Sequence, residues 1–478
     1  MLLCGKVSCG SRTQLTTEPG DPSSSPIRVP TLLDFEDFWE ESMTIQERLD
    51  SLPLRGFHYR LVVLCGLGWL FDAMDALLIG LAMPVLADEW GLSNAQRGHL
   101  LTAHMIGMLV GAAVAGRLAD RLGRQRMFQW TLLLFSISTG LCAVAPDYGT
   151  LLVMRFLVGL GLGGELPVAS SLVAELSPAA HRGRLIVLME SFWAGGALVA
   201  ALIARLIPLL GWRFVFLVGA LPAFYVLILR RRLPESPRFL ISQGKAEEAL
   251  GVLRRVEAAS QEPPAQVEPA PSVAAPRAPI RDILGPGLRR RTLLLWGLWF
   301  GMLYSYYGIF SWLPSLLAEA GHSLVRTYNY TILITLAQIP GYFAAAALVD
   351  RLGRRRTLIL FLVPCALSSL GYAVSTSGVA IVLFGALISF FNLGAWGVVY
   401  TYTPELYPTR LRATGSGAAS SMARVGGILA PLAVPAVLSA TGSQAYVFAM
   451  FAGVLLVTAV VAFAGEETGG QSLEAISK

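Results

Sequence analysis

Asp120-Arg121-Leu122-Gly123-Arg124-Gln125-Arg126 returns later in the chain as Asp350-Arg351-Leu352-Gly353-Arg354-Arg355-Arg356. At the same offset, Glu175-Leu176-Ser177-Pro178 returns as Glu405-Leu406-Tyr407-Pro408, and Arg182 returns as Arg412. Both copies stand where long apolar segments end. One membrane-embedded half is therefore built twice, an architecture typical of secondary transporters, which bind substrate between their halves.

The composition fits a polytopic membrane protein. Hydrophobic residues make up 54% of the chain and charged residues only 14%, well under the roughly 25% of soluble domains. Apolar segments of about 20 residues recur, each long enough to cross roughly 30 Å of hydrocarbon. We predict an all-α polytopic membrane protein with twelve transmembrane helices in two six-helix bundles. The bundles are expected at residues 60–230 and 292–465, with a central loop at 231–291 and tails at 1–59 and 466–478.

The arginines predict the orientation of the chain. Clusters follow the second, fourth, sixth, eighth and tenth predicted spans, whereas the opposite loops carry chiefly Arg97, Arg213 and Arg326. Basic loops face the cytoplasm, so we expect a multi-pass protein of the cell membrane with both termini inside. The net charge of +6 then reflects topology, and nucleic-acid binding is the weaker interpretation. Residues 1–42 resemble nothing else in the chain, so translation is expected to start at Met43, with a regulatory tail as the alternative.

The sequence carries no constellation typical of an enzyme, a metal site or a bound cofactor. Its five cysteines are scattered without metal-ligand spacing, and no nucleophile stands beside a base. Gly159-Leu160-Gly161-Leu162-Gly163-Gly164 resembles a dinucleotide fingerprint. It lies inside a predicted span with no strand before it, so close helix packing explains it. We expect a small-molecule substrate, protons and the lipid bilayer as partners; a membrane receptor without flux is the alternative.

Each copy of the repeat predicts a cluster of charges at the cytoplasmic surface. Charge-assisted pairs there can hold helices together in one conformation and release them in another. We favour such a gate over arginines that only determine topology, because the acids repeat in register with them. The predicted gate residues are Asp120, Arg124, Glu175, Arg182, Asp350, Arg354, Glu405 and Arg412.

Ionisable residues inside predicted spans indicate function by default. Asp72 and Asp75 lie three residues apart, hence on one face of a helix. Two neighbouring carboxyl groups in a low-dielectric site suit proton coupling, and Arg155 is the natural counter-ion. Glu165 lies farther along the helix of Arg155. Which aspartate pairs with Arg155 stays open, and a tie between helices is the alternative role for Arg155.

Polar and aromatic residues of the other spans are candidates for binding the substrate. A lone buried cation, Arg424, suits an anionic substrate, and aromatic rings suit a flat one. Amide groups would bond a ring nitrogen or a carboxylate. Core packing is the alternative for the tyrosines, and a tie between helices for Glu190. The predicted substrate-binding residues are Glu190, Trp193, Tyr306, Tyr307, Gln338, Asn392, Trp396 and Arg424.

Three motifs of the chain resemble signatures of the major facilitator superfamily. They are Asp120-Arg121-Leu122-Gly123-Arg124, its copy at Asp350, and Pro234-Glu235-Ser236-Pro237-Arg238, within a resemblance that covers residues 55 to 467. The resemblance implies two six-helix bundles around a central cavity, a monomer, and alternating access by rocking of the bundles.

A finer resemblance involves strings inside the spans, such as residues 66–75, 161–170 and 390–397. They are similar to the bacterial niacin transporter subfamily (NiaP), near aromatic acid:proton symporters and synaptic-vesicle-type transporters. This resemblance implies an uptake permease for niacin, as nicotinate, nicotinamide or both, coupled to protons. The alternatives are a proton-coupled permease for another aromatic or small carboxylate and a sugar-porter-like transporter.

Overall fold

A computed structural model describes residues 43–265, 267, 279–408 and 411–468, apart from the side chains of Gly116, Asp120, Leu166, Pro167 and Ala413. The elements formed within these ranges are all α-helices. The segment before the predicted start at Met43, residues 268–278 of the central loop and the C-terminal residues 469–478 lie outside the described residues.

The first half of the chain forms a short leading helix and the helices of six spans. Two of these spans each consist of a pair of helices with a break between them. The helices are α1 (Ile45–Ser51), α2 (Gly56–Trp90), α3 (Asn94–Leu122), α4 (Arg124–Cys142), α5 (Tyr148–Glu175), α6 (Arg182–Glu190), α7 (Phe192–Ala204), α8 (Ile207–Leu210), α9 (Trp212–Gly219) and α10 (Pro222–Arg232).

The central loop contributes three short helices, and the second half repeats the pattern of the first. The loop helices are α11 (Pro237–Ser242), α12 (Ala246–Ser260) and α13 (Ile280–Ile283). The second-half helices are α14 (Arg289–Glu319), α15 (Leu324–Leu336), α16 (Gln338–Leu352), α17 (Arg354–Ala373), α18 (Gly378–Glu405), α19 (Arg412–Thr441) and α20 (Gln444–Phe463).

Helix starts and turns repeat together with the motifs. Ser93 accepts a hydrogen bond from the backbone N–H of Gln96, and at the offset of the repeat Ser323 accepts one from that of Arg326. Such caps satisfy N–H groups that the first turn of a helix leaves unpaired. Gly123 and Gly353 separate α3 from α4 and α16 from α17 with φ of +99° and +88°, a backbone conformation that other residues adopt only with strain.

Eleven spans within the described residues are long and apolar enough to cross a membrane. The pairs α6–α7, α9–α10 and α15–α16 each count as one span. The third predicted span forms α4 over 19 residues, and it is not among these eleven. The polytopic all-α fold predicted from the sequence is confirmed.

Equivalent helices pack in equivalent ways in the two halves. In the first half α3 packs on α5, α5 on α4, and α2 on α7; in the second half α16 packs on α18, α18 on α17, and α14 on α19. Gly159 and Gly163 allow the close approach of α5 to α3, because a Cβ at either position would overlap a carbonyl oxygen of α3. This is the packing role predicted for the glycine string.

The most extensive packing between the halves is that of α3 with α19, α2 with α14, and α7 with α15. The end of the bundle at which α3 meets α4 and α16 meets α17 carries Arg121, Arg124, Arg351 and Arg354, and we call it the basic end. The end at which α2 meets α3 and α14 meets α15 is called the opposite end. The predicted domain limits at 60–230 and 292–465 stay a prediction.

Candidate functional site

A cavity lined by both halves lies between the bundles. Half of its sixteen lining residues are aromatic, and the lining includes one arginine and one carboxyl group. None of the sixteen is Asn or Gln. The lining residues are Trp69, Met105, Met108, Glu190, Trp193, Trp299, Leu303, Tyr306, Tyr307, Tyr342, Leu393, Trp396, Tyr400, Ser420, Ala423 and Arg424.

Arg424 brings a positive charge to the cavity from α19. Its Nη1 donates to the backbone carbonyl of Ser420 at 3.1 Å and to the hydroxyl of Ser420 at 2.9 Å, and its Nε has no hydrogen-bond partner among the described residues. The side chain is 9% exposed, and within the described part of the chain no carboxylate forms an ion pair with it. A buried guanidinium without an acidic partner can bind a carboxylate through two parallel hydrogen bonds.

Aromatic rings form the walls around Arg424 and connect the two halves. The indole N–H of Trp193 donates to the hydroxyl of Tyr306 at 2.7 Å, a hydrogen bond from the first half to the second. The ring of Trp193 also lies 4.8 Å from that of Trp69 and 6.5 Å from that of Tyr307, measured between centroids. These rings offer flat apolar surfaces to a flat substrate.

Glu190 lies at the end of α6, lines the cavity, and is 3% exposed. The indole of Trp69 is its polar neighbour, and among the described residues it forms no ion pair. The structure therefore brings six of the predicted substrate-binding residues to one cavity: Glu190, Trp193, Tyr306, Tyr307, Trp396 and Arg424.

The two predicted amides lie outside the lining of this cavity. Asn392 Nδ2 donates to the hydroxyl of Ser305 at 3.1 Å, while both polar atoms of the buried Gln338 side chain lack a hydrogen-bond partner among the described residues. Four further aromatic residues line the cavity without being among the predicted substrate-binding residues: Trp69, Trp299, Tyr342 and Tyr400. Tyr400 carried a usable signal, because it follows Trp396 by four residues and therefore shares its face of α18.

Asp75 is the aspartate that pairs with Arg155. Arg155 Nη2 lies 3.4 Å from Asp75 Oδ2, and both side chains are fully buried. Thr139 donates to the other carboxylate oxygen of Asp75 at 2.5 Å, and the guanidinium stacks over the ring of Phe216 at 5.2 Å. The pair ties α2 to α5 in the interior of the first half.

Asp72 and Glu165 form a second group of buried acids. Both side chains are at most 1% exposed, and none of their four carboxylate oxygens has a well-formed hydrogen bond within the described part of the chain. Their carboxyl groups are near enough to interact electrostatically. Tyr307 lines the cavity together with Arg424.

At the basic end of the first half, charged groups meet around the turn from α3 to α4. Arg124 Nε lies 3.7 Å from Glu175 Oε1 at the end of α5. Glu235 accepts hydrogen bonds from the backbone N–H groups of Arg124 and Gln125 at 2.8 and 3.1 Å, and the next residue, Ser236, donates to Glu175.

The other predicted gate residues of the first half have separate surroundings. Arg182 forms an ion pair with Asp50 of the leading segment at 2.6 Å. It also donates to the carbonyl of Ser177 at 3.3 Å. The side chain of Asp120 lies outside the part of the chain that the structure describes.

The basic end of the second half repeats this arrangement. Arg354 pairs with Glu405 at 2.9 Å and with Asp350 at 3.2 Å. Glu467 accepts from the backbone N–H of Arg354 at 2.7 Å, and the next residue, Thr468, donates to Glu405 at 2.5 Å. Arg412 donates to the carbonyl of Pro404 at 2.9 Å. These pairs join elements within one half, and their predicted role as a gate stays a prediction.

Polar contacts between the halves occur at the opposite end. Arg97 at the start of α3 pairs with Glu319 at the end of α14 at 2.5 Å. The hydroxyl of Tyr328 donates to the carbonyl of Leu81 at 3.1 Å. A Cβ at Gly80 would lie 2.6 Å from the carbonyl oxygen of Ser311, so the backbones touch here. These contacts join the two halves at the opposite end.

A repeated set of membrane-spanning helices around a cavity that offers aromatic rings and an arginine is typical of transporters of the major facilitator fold. The sugar (and other) transporter family matches residues 41–478. The chain belongs to this family.

Curated relatives agree with this assignment. The niacin transporter NiaP of Acinetobacter baylyi is 46% identical, with 91% of this chain and 100% of the relative covered. The putative niacin/nicotinamide transporter NiaP of Bacillus subtilis is 42% identical, with coverage of 87% and 98%. The synaptic vesicle 2-related protein of Rattus norvegicus is 32% identical, with coverage of 92% and 84%. The family resemblance predicted from the sequence is confirmed.

Among solved structures, the fold is similar to the inward-open xylose transporter XylE of E. coli. The TM-score is 0.70 at 21% identity, with 88% of this chain and 99% of that chain covered. Since the identity is low, this similarity supports the fold alone.

Proposed function

We propose that the chain is a secondary active transporter that takes up niacin, as nicotinate and in addition nicotinamide, by proton symport with alternating access. The observation that carries the proposal is Arg424, a buried arginine without an acidic partner among the described residues, in a cavity walled by aromatic rings. Nicotinate is a flat ring with one carboxylate, and two relatives of this chain are named niacin transporters.

The chemistry of the cavity favours an aromatic acid over a sugar. Sugar sites present many amides and hydroxyls to a ring of hydroxyl groups, whereas the lining residues here include neither Asn nor Gln. In the proposed complex, the carboxylate of nicotinate binds Arg424 and its ring packs among Trp193, Tyr306, Tyr307 and Trp396. Nicotinamide would keep the ring contacts and lose the ion pair, so we expect it to bind more weakly.

The proton is carried by the buried acids of the first half. A proton on Asp75 would remove the charge that balances Arg155 and weaken the pair that ties α2 to α5. Asp72 and Glu165 are the other buried acids of this region, and we assign them a part in binding the proton. Tyr307 lines the cavity together with Arg424, and we assign to it the coupling between the buried acids and an anion bound in the cavity.

We place the protein as a monomer in the cell membrane, with both termini and the basic end in the cytoplasm. The described conformation is then closed toward the outside by Arg97–Glu319 and its neighbouring contacts. Alternating access requires these contacts to break while the bundles, residues 60–230 and 292–465, rock about the cavity. In this cycle the charge clusters at the basic end stabilise one conformation and rearrange in the other.

Uptake of labelled nicotinate into proteoliposomes tests the proposal. Uptake is measured with and without an inward proton gradient, and in competition with nicotinamide, benzoate and glucose. We expect uptake that the gradient stimulates and that nicotinamide, but not glucose, inhibits. Empty liposomes and liposomes with an Arg424→Ala variant are the controls.

Two outcomes would contradict parts of the proposal. If nicotinate is taken up at the same rate with and without the gradient, the proposed proton coupling is wrong and the proposed substrate stands. If benzoate or glucose is taken up and nicotinate is not, the proposed substrate is wrong and the transporter class stands.

A further inference from the structure

We propose that the carboxyl group of Glu190 binds the ring nitrogen of the substrate, and that it thereby selects pyridine carboxylates over benzene carboxylates. This inference rests on the proposed function, because it names the second polar contact of the same cavity. Arg424 recognises the carboxylate that both kinds of acid share. Glu190 would recognise the atom that distinguishes them.

The position of Glu190 supports this role. It is 3% exposed, it lines the cavity beside Trp69, and within the described part of the chain its carboxyl group forms no ion pair. A buried carboxyl group without a charged partner is costly, and the cost is offset when a bound ligand supplies a hydrogen bond. Glu190 is also the one carboxyl group among the sixteen residues of the cavity lining.

The two polar groups approach the cavity from different halves of the molecule. Glu190 ends α6 in the first half, and Arg424 lies within α19 in the second. Tyr400 lines the same cavity as both of them. A flat molecule among these rings can therefore present an anionic group to Arg424 and a second polar atom to Glu190.

The amides predicted for this contact are placed elsewhere. Asn392 lies outside the cavity lining and donates to Ser305, and Gln338 also lies outside the lining. Several lining residues carry a hydroxyl or indole group, but Trp193 already uses its N–H on Tyr306. The hydrogen bond to Glu190 would share one proton between its carboxyl oxygen and the ring nitrogen, with no bond to carbon made or broken.

This arrangement predicts discrimination by loss of a hydrogen bond. Benzoate has the shape and the charge of nicotinate, but a C–H group replaces the ring nitrogen. When it binds, the carboxyl group of Glu190 stays buried without the bond that nicotinate supplies, and sites built to bond a polar atom reject analogues that lack it.

Competition against labelled nicotinate in proteoliposomes tests the inference on the wild-type chain. We expect benzoate to bind at least about tenfold more weakly than nicotinate. Benzoate that competes as well as nicotinate would overturn the inference without any variant.

Two substitutions then assign the discrimination to Glu190. Glu190→Leu should weaken nicotinate about tenfold or more and leave benzoate within about threefold of its wild-type affinity. Glu190→Gln keeps a hydrogen-bond donor of the same shape and should keep nicotinate within about threefold. Retention of the wild-type ratio of nicotinate to benzoate in Glu190→Leu would overturn the inference.

The failure of the inference can be separated from that of the proposed function. If wild-type protein neither binds nor transports nicotinate, the proposed function fails. If wild-type protein transports nicotinate and Glu190→Leu discriminates as before, only the role of Glu190 fails. If Glu190→Leu binds neither acid, the competition of benzoate against nicotinate on the wild-type chain decides.

Discussion

The basic ends of the two halves share one arrangement. In the first half a glutamate accepts from the backbone after Gly123 and its neighbour Ser236 donates to Glu175. In the second half a glutamate accepts from the backbone after Gly353 and its neighbour Thr468 donates to Glu405. Both glycines have positive φ, and both turns make the same pair of contacts. The repeat therefore extends from the sequence to the backbone conformation and the hydrogen bonds of these turns.

The interiors of the two halves differ at equivalent positions. The offset that carries Asp120 onto Asp350 places Ser305 at the position of Asp75, Gly385 at that of Arg155, and Ser420 at that of Glu190. In the other direction, Ala194 stands at the position of Arg424. The acids in the interior of the spans thus belong to the first half, while the second half supplies the arginine of the cavity. The two halves therefore share the arrangement of their helices, but they carry different charged residues inside the spans.

Removal of Arg424 tests this division most strongly. Arg424→Ala deletes the one cation of the cavity lining, and loss of a buried charged partner costs about 2–5 kcal/mol, about 30-fold to several thousand-fold in affinity. We expect nicotinate uptake to be lost and nicotinamide uptake to be less affected, since the amide makes no ion pair. Uptake of labelled nicotinate and uptake of labelled nicotinamide, each measured directly, test the two expectations.

Arg424→Lys is the matched control, because it keeps the charge and loses the planar fork. Its nicotinate uptake should lie between that of the wild type and that of Arg424→Ala. An Arg424→Ala variant that takes up nicotinate with wild-type affinity would exclude this residue as the anion site.

The second test asks whether proton coupling can be lost while substrate exchange is retained. Asp75→Asn leaves Arg155 without its partner, so we expect the proton gradient to stop driving accumulation while exchange of labelled for unlabelled nicotinate continues. Ser305→Ala changes the equivalent position of the second half and should keep coupling. Gradient-driven accumulation and nicotinate exchange are both measured in the same vesicles, and their comparison distinguishes the two variants. Full coupling in Asp75→Asn would contradict the proposed division of roles.

The repeat and the span pattern made most of the fold predictable. A constant offset between the two copies places every span of the second half from the first, and the placement of the arginines gave a topology. Contacts that depend on helix rotation were harder to predict. The sequence left open which of Asp72 and Asp75 meets Arg155, because residues three apart share a face and differ only in depth.

The cavity lining shows the same limit. Arg424, Glu190 and four aromatic residues were selected as polar or aromatic residues deep in spans, and they line one cavity. Gln338 and Asn392 met the same criteria but lie outside the lining. Composition identifies a polar residue in a span, whereas the direction of its side chain depends on how the helices pack. The equivalence of Glu235 and Glu467 was missed because they lie slightly farther apart than the constant offset, which therefore does not align them.

The matched basic ends predict matched effects. Glu175→Gln and Glu405→Gln each remove the acid that meets an arginine and a hydroxyl, at partly buried positions. We expect each to change the maximal uptake rate by about fivefold, on the order of 1 kcal/mol, with little change in nicotinate affinity. Initial rates over a range of nicotinate concentrations separate the two parameters. Effects that differ by more than about tenfold between the two variants would show that the halves do not share this role.

The smallest expected effect concerns the opposite end, where the repeat diverges again. Glu89 and Glu319 are equivalent by the offset, but Glu89 pairs with Arg213 of its own half at 2.8 Å, whereas Glu319 pairs with Arg97 across the halves at 2.5 Å. Only the second pair can resist separation of the halves. It is partly exposed, with side chains 17% and 32% accessible, so its loss costs about 0.2–1 kcal/mol.

Glu319→Gln should therefore enlarge the population open at this end by less than about fivefold, and Glu89→Gln should not change it. Spin labels at exposed Ala95 and Ser323, in a cysteine-free background, report the distance between the halves there. The double exchange Arg97→Glu with Glu319→Arg should restore the wild-type distribution, and high salt should mimic Glu319→Gln because it screens an exposed pair. An equal shift in Glu89→Gln would mean that charge at this surface, and not a bond between the halves, sets the population.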